Sequence, residues 1–66
     1  MDIAQILKDK NITVKEMSND LGMSRQHLYN KLKGINSWSF KDIVIISEKT
    51  KIPLNDFKGI TLNQKF

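Results

Sequence analysis

Polar side chains suited to hydrogen bonding with nucleic acid recur along one short stretch of the chain. They are Arg25, Gln26, Tyr29, Asn30 and Lys33. An arginine can fork onto guanine O6 and N7, and the side-chain amides can pair with adenine N6 and N7. On a helix with about 100° per residue, most of these side chains lie opposite the apolar pair Leu28 and Leu32. We therefore expect one outward face with the chemistry of base and phosphate contacts.

The sequence pattern of residues 13–34 predicts two short helices joined by a sharp turn, and the second helix carries this polar face. Thr13 and Glu16 fit a capping box, in which each side chain accepts a hydrogen bond from the backbone of the other residue. Gly22 can take a positive φ and end the first helix. Ser24 caps the second helix, which is expected to end near residue 33. This order of elements is a helix-turn-helix.

A first helix is expected to begin at Asp2 and to run to about residue 10, because the apolar residues at positions 3, 6 and 7 share one face. A short fifth helix is expected after Pro53, since proline suits the first turn of a helix. We expect Leu54 and Phe57 of that helix to pack back onto the core.

The capping signature from Ser39 to Asp42 opens another predicted helix, which runs to about residue 51. The β-branched run at residues 43–46 would by itself suit a strand. The cap and the helical continuation to residue 50 favour a helix. Positions 40, 43, 44, 47 and 50 are expected to face inward. Ile45 is expected to point well away from the core, and Ile46 to lie at its margin.

The predicted fold is therefore all-α, a compact bundle of about five short helices in residues 1–59. Residues 60–66 form a tail that is either frayed or a short strand with Ile60 and Leu62 on one face. The expected core residues are Ile3, Ile6, Leu7, Met17, Leu21, Met23, Leu28, Leu32, Phe40, Ile43, Val44, Ile52, Leu54 and Phe57.

Composition narrows the function classes. The chain has 66 residues, no cysteine, one histidine and a formal net charge of +4, with a pI of about 9.6. We expect neither a metal site nor a cofactor, and no catalytic constellation or phosphate loop emerges, so an enzyme is not expected. No apolar run approaches the ~18 residues of a membrane helix and no signal peptide is apparent, which favours the cytoplasm. The basic charge favours an anionic partner.

The basic charge is concentrated near the polar face. Between Leu21 and Lys41 the chain has four cationic side chains and no acidic one; the four are Arg25, Lys31, Lys33 and Lys41. This asymmetry suits a phosphate-facing surface. Lys31 has an alternative role, covering the core with its stem. Lys49, Lys51 and Lys58 are interpreted as contributing to solubility, and Glu16 and Asp20 as capping and surface residues.

Residues 13–57 resemble the Cro/C1-type helix-turn-helix family of phage repressors and related bacterial regulators. The resemblance rests on the cap Thr13, the small residue Ser18, the turn at residues 21–23 and the Ser24-Arg25 start of the second helix. Two positions depart from the family pattern. Ser18 replaces the usual alanine, and Lys31 stands where many relatives place an apolar residue. The resemblance implies a lambda-repressor-like domain.

The resemblance also implies that the second helix is a recognition helix whose N-terminal half enters the major groove. Arg25 and Gln26 are then the best base readers, with Tyr29 and Asn30 one turn later. The phosphate candidates are Thr13, Lys15, Ser24, Lys33, Asn36, Ser37, Ser39 and Lys41. His27 is expected to be an ordinary surface residue rather than a phosphate contact, and Trp38 a lid on the core rather than a platform for bases.

The function expected from this resemblance is a sequence-specific transcriptional regulator that occupies an operator in double-stranded DNA. The alternative is a protein-binding module, such as an antirepressor, an antitoxin or an inhibitor of a host protein. Such domains commonly bind DNA as two-fold dimers. The candidate dimer contacts are Ile45, Ile60, Leu62 and Phe66. A monomer with a disordered tail is the competing expectation.

Overall fold

Four α-helices and a short 3-10 turn make up residues 2–57, the part of the chain that the computed structural model describes. The helices are α1 (Ile3–Asp9), α2 (Val14–Leu21), α3 (Arg25–Leu32) and α4 (Phe40–Thr50), and the 3-10 turn is Leu54–Phe57. The prediction of an all-α helix-turn-helix domain is confirmed, with the fifth helix reduced to the 3-10 turn. Residues 60–66, for which a frayed tail or a short strand was predicted, lie outside the described residues.

Each α-helix begins at a side-chain cap that the sequence predicted. Asp2, Thr13, Ser24 and Ser39 each accept a backbone N–H from the first turn of the following helix. Such caps satisfy donors that have no partner inside the helix. The box at Ser39 is complete, because the Asp42 side chain accepts the Ser39 N–H in return at 3.2 Å.

The box at Thr13 is only half formed. The Thr13 Oγ1 accepts the Glu16 N–H at 3.1 Å, as predicted. The Glu16 carboxylate binds Lys49 Nζ of α4 at 2.8 Å. Lys49 Nζ also binds Asp20 of α2 at 2.9 Å. Lys49, which the sequence assigned only to solubility, therefore also joins α4 to α2.

The two helices of the helix-turn-helix end in the same way, at a glycine with left-handed backbone. Gly22 has a φ of 70° and Gly34 a φ of 83°. At each end, two amides fold back onto carbonyls of the last turn, the paired bonds of a Schellman motif. Gly22 N bonds Asn19 O and Met23 N bonds Ser18 O, at 3.2 and 3.0 Å. The sharp turn between α2 and α3 thus follows from Gly22, as the sequence predicted.

The core lies between the helices and is closed by the indole of Trp38, which is buried as a lid, as expected. Its buried apolar residues are Ile3, Leu7, Met17, Leu28, Trp38, Ile43, Ile46 and Phe57. α2 packs against both α3 and α4, and α4 packs against the 3-10 turn. None of the helices in residues 2–57 is long and apolar enough to cross a membrane.

The face that α4 buries differs from the predicted one. Ile46 is fully buried and Ile45 is half-buried against the core, whereas Phe40 is 39% exposed. The buried stripe of α4 contains Asp42, Ile43, Ile46 and Thr50. Asp42 is drawn inward by an ion pair with Lys31 of α3. The buried stripe therefore keeps the predicted Ile43 and Thr50 but includes Asp42 and Ile46 in place of Phe40.

Other expected core residues are less buried than predicted. Leu54 is 41% exposed. Several are half-buried at the edge of the core, namely Ile6, Leu21, Met23, Leu32, Val44 and Ile52. A domain of this size has too little interior to enclose every apolar side chain.

Candidate nucleic-acid interface

The outward face of α3 carries the predicted base readers. Arg25, Gln26 and His27 are exposed, Tyr29 is exposed, and Asn30 is half-buried. Leu28, on the opposite side, is fully buried in the core. The helix therefore presents its polar face to solvent and is held in place by its apolar face.

Gln26 and Asn30 form one hydrogen-bonded pair of side-chain amides. Gln26 Nε2 donates to Asn30 Oδ1 over 3.1 Å, one helical turn apart. Each amide has one oxygen acceptor and two N–H donors, so the pair retains further donors and acceptors for another partner. Adenine N6 and N7 require one acceptor and one donor. The pair restricts both side chains before any ligand arrives, which reduces the entropy lost on binding.

The loop that follows α3 is tied to the same residue. The Asn30 carbonyl accepts the amides of Ile35 and Asn36, at 2.9 and 3.3 Å. Gly34 supplies the left-handed conformation that this geometry requires. The loop is therefore fixed relative to the recognition helix by backbone bonds.

Most of the predicted phosphate contacts flank α3 and are accessible. Thr13, Lys15, Ser24, Lys33, Asn36 and Lys41 are exposed, and Ser37 and Ser39 are half-buried. Some of their polar atoms are already used. Ser24 Oγ accepts the His27 N–H, and Ser39 Oγ accepts the Asp42 N–H, both at 3.1 Å. Phosphate contact is the role predicted for each of these residues.

Lys31 does not belong to the exposed basic surface. Its ammonium lies 2.6 Å from Asp42 Oδ2 and donates to the Ser37 carbonyl at 3.2 Å. It also lies 5.8 Å from the centroid of the Trp38 ring, within the range of a cation–π contact. Both charged side chains are buried. Of the four cations in the acid-free window, Arg25 and two lysines therefore remain available to solvent.

Asp42 remains ionised in this setting. Burial by itself raises the pKa of the Asp42 carboxyl, but hydrogen bonds from Lys31 and Ser39 favour the charged form and hold the pKa below its usual value. The Lys31 charge adds to the same effect. An acidic residue thus caps α4 without presenting an uncompensated negative charge at the loop.

The acids of α2 share one ammonium group, which compensates part of their negative charge. Glu16 and Asp20 both bind Lys49, whose pKa their hydrogen bonds raise above its usual value. Because α3 itself contains no acidic residue, its outward face carries no negative side chain to repel phosphate.

An open apolar groove of about 450 Å³ runs beside the C-terminal half of α3. It is lined by Ala4, Leu7, Lys8, Ile12, Val14, Tyr29, Leu32 and Lys33. Lys8 of α1 therefore belongs to the same surface as Tyr29 and Lys33. The sequence did not indicate this cation, because only the packing of α1 beside α3 brings it there.

Sequence reasoning also missed the ion pair between Lys31 and Asp42. A capping box at Ser39 was visible, but nothing in the spacing showed that the Asp42 carboxylate would also meet a lysine eleven residues earlier.

Of the candidate dimer contacts, Ile45 is half-buried beside Asp20 and Lys49. The other three, Ile60, Leu62 and Phe66, lie outside the described residues.

A rigid α2–turn–α3 unit with an exposed, acid-free polar face on α3 defines a small helix-turn-helix domain. The family model of the Cro/C1-type HTH DNA-binding domain matches residues 2–61, and the chain belongs to this family. The resemblance seen in the sequence is confirmed. The chain is thus a DNA-binding regulator, and DNA is its partner. Neither the curated proteins nor the solved structures contain a significant match.

Proposed function

We propose that this protein is a sequence-specific transcriptional regulator of the phage-repressor type, which occupies an operator through α3 and acts by binding, without catalysis. The observation that carries the proposal is the restrained Gln26–Asn30 amide pair beside Arg25 on an exposed helix face. Such groups match the hydrogen-bonding edges of adenine and guanine in the major groove. Occupancy of an operator would block or shift polymerase access.

In this proposal Arg25 and Gln26 read base edges, and Tyr29 and Asn30 contact a base edge, a thymine methyl group or a phosphate one turn later. Each bidentate contact would contribute about 1–3 kcal/mol of discrimination between bases. Lys33 and the other flanking residues described above would bind phosphates and set the position of α3 on the duplex.

The direct test is selection of a binding sequence from a random duplex library, followed by titration of the winner against scrambled duplex at fixed salt. A sequence-specific regulator should bind the selected duplex about 10³-fold or more tightly. Equal affinity for both duplexes would refute the proposal.

Arg25→Ala sharpens this test. The variant should lose preference at one base pair of the half-site and keep it elsewhere, because only one side chain reaches that position. Lys15→Ala is the matched control, since a phosphate contact should weaken all sequences about equally. If Arg25→Ala keeps the full base preference at every position, Arg25 does not read a base.

We also propose that the protein binds as a two-fold dimer on a palindromic site. Half-sites would then lie about 34–36 Å apart, one turn of the duplex. Sedimentation at micromolar concentration, with and without residues 60–66 and with and without operator duplex, tests the dimer. A single protein per selected duplex under all conditions would exclude it.

A protein-binding module is the second candidate, and the exposure of Ile35 favours it. This side chain is 67% exposed, immediately after the recognition helix. Burial of this apolar side chain against a protein partner would be favourable. If Ile35→Ser abolishes regulation while Arg25→Ala and Gln26→Ala leave it intact, the protein-binding function is the correct one.

A further inference from the structure

The ion pair between Lys31 and Asp42 joins the recognition helix to the next helix through the interior. The two atoms, Lys31 Nζ and Asp42 Oδ2, are 2.6 Å apart, and both side chains are buried. Lys31 belongs to α3 and Asp42 to the first turn of α4. The pair therefore spans the loop of residues 33–39, which contains several of the proposed phosphate contacts.

The same two side chains also hold the loop backbone. Lys31 Nζ donates to the Ser37 carbonyl at 3.2 Å, and Asp42 Oδ2 accepts the Ser39 N–H at 3.2 Å. Trp38, between those two residues, places its ring near the ammonium and buries it. Three consecutive residues of the loop are thus fixed by one buried pair.

We infer that Lys31 and Asp42 are positioning residues for DNA binding. They touch no DNA themselves in this inference. They fix the 36–41 segment, with Asn36 and Lys41 exposed, at a set distance from the base-reading face of α3, so that phosphate and base contacts form together. The inference rests on the proposed function, since it assigns a role in the same interface.

The pair also resolves an electrostatic conflict. A carboxylate in the first turn of α4 suits the helix dipole but would repel a nearby phosphate. Lys31 neutralises that charge inside the protein. A simple charge account therefore expects Asp42→Asn to strengthen DNA binding, because one negative charge is removed. The positioning role predicts the opposite sign, which makes the two accounts separable.

Asp42→Asn is the test variant, and Asp20→Asn is its matched control. Asp20 also pairs with a lysine, Lys49, but on the surface between α2 and α4. Both variants gain one unit of positive charge. Lys31→Met/Asp42→Leu is the second test variant, because a buried pair replaced by apolar residues commonly remains folded, and its net charge equals that of the wild type.

Binding is measured on the duplex selected by the wild type, at several salt concentrations and at a temperature where circular dichroism shows every variant folded. Both test variants should bind about tenfold more weakly than the wild type, and their slope of log K against log salt should flatten by about one to two, as one or two phosphate contacts are lost. Asp20→Asn should bind as tightly as the wild type or more tightly. In both test variants, ethylation of the phosphates beside the 36–41 segment should no longer interfere with binding. The base contacts of Arg25 should persist.

Amide hydrogen exchange in the free protein completes the test. The backbone amides of residues 35–39 should exchange faster in both test variants than in the wild type. Their exchange rates should be unchanged in Asp20→Asn. If the wild type selects no sequence, the proposed function fails, and hydrogen exchange together with the salt slope on random duplex still decides the positioning role. Test variants that bind with unchanged slope and affinity, or more tightly than Asp20→Asn, overturn the inference.

Discussion

Replacing Lys31 by methionine should remove a large fraction of the protein's free energy of unfolding at neutral pH. The substitution leaves the buried Asp42 carboxylate without its ammonium partner. Removing one partner of a buried ion pair costs about 3–5 kcal/mol. We take about 3 kcal/mol, because every buried group in so small a domain lies close to solvent. A domain of 66 residues has a total stability of roughly 3–10 kcal/mol, so this loss is a large fraction of the whole.

Urea unfolding followed by circular dichroism measures the loss. With a denaturant slope of about 1 kcal/mol per molar urea for a small protein, the midpoint should fall by about 3 M. Lys49→Met is the matched control, because it removes a lysine of the same kind from an ion pair that is partly exposed to solvent. Screening by water makes such pairs weak, so its midpoint should change far less.

The free energy of unfolding should depend on pH through the Asp42 carboxyl group. In the wild type the pKa of Asp42 is lower in the folded state than its ordinary value of 3.8. Its stabilisation is therefore present above about pH 4 and is lost as pH falls through the lowered folded value. Without Lys31, burial should raise the pKa of Asp42, so acidification toward pH 4.5 should narrow the gap between variant and wild type.

A second substitution closes the cycle. Adding Asp42→Asn to Lys31→Met should recover part of the loss, because the uncompensated charge is gone. If Lys31→Met and Lys49→Met shift the midpoint equally, and the shift does not depend on pH, the buried-pair reasoning is refuted.

Three further predictions concern the interface and the frame that supports it. Lys41→Ala should weaken binding to all sequences about equally and flatten the salt slope by about 1, measured by fluorescence anisotropy; a change in base preference would contradict this. Ile46→Val should cost about 0.5–1.5 kcal/mol in urea unfolding because Ile46 is fully buried, whereas Leu54→Ala, at a half-exposed site, should stay within about 0.5 kcal/mol. Gly22→Ala should cost about 1–2 kcal/mol in urea unfolding through backbone strain alone, since φ is 70° and no atom lies within 4 Å of the added Cβ. Gly22→Asn should cost less, because asparagine adopts the left-handed conformation more readily than alanine. Equal stability of Gly22→Ala and the wild type would show that the turn changes conformation.

Local chemistry in the sequence determined the elements of this fold. The caps at Asp2, Thr13, Ser24 and Ser39 form with near neighbours, within three residues along the chain. The turn depends on Gly22 for the same reason, because a left-handed backbone is a property of one residue. The outward polar face of α3 followed from helical periodicity around Leu28. These interactions can be predicted from the sequence because their partners lie only a few residues apart along the chain.

Tertiary packing decided the rest, because its partners lie far apart in sequence or on different helices. Lys31 was expected at the surface or as a cover for the core, and became buried only when α4 brought Asp42 to it. On the same helix Ile46 is fully buried and Phe40 is exposed, contrary to the face predicted from the sequence. Lys49 bridges to α2 and Lys8 joins the groove beside α3 for the same reason. A sequence states which side chains carry charge, whereas the packing of helices decides which charges remain free to meet DNA.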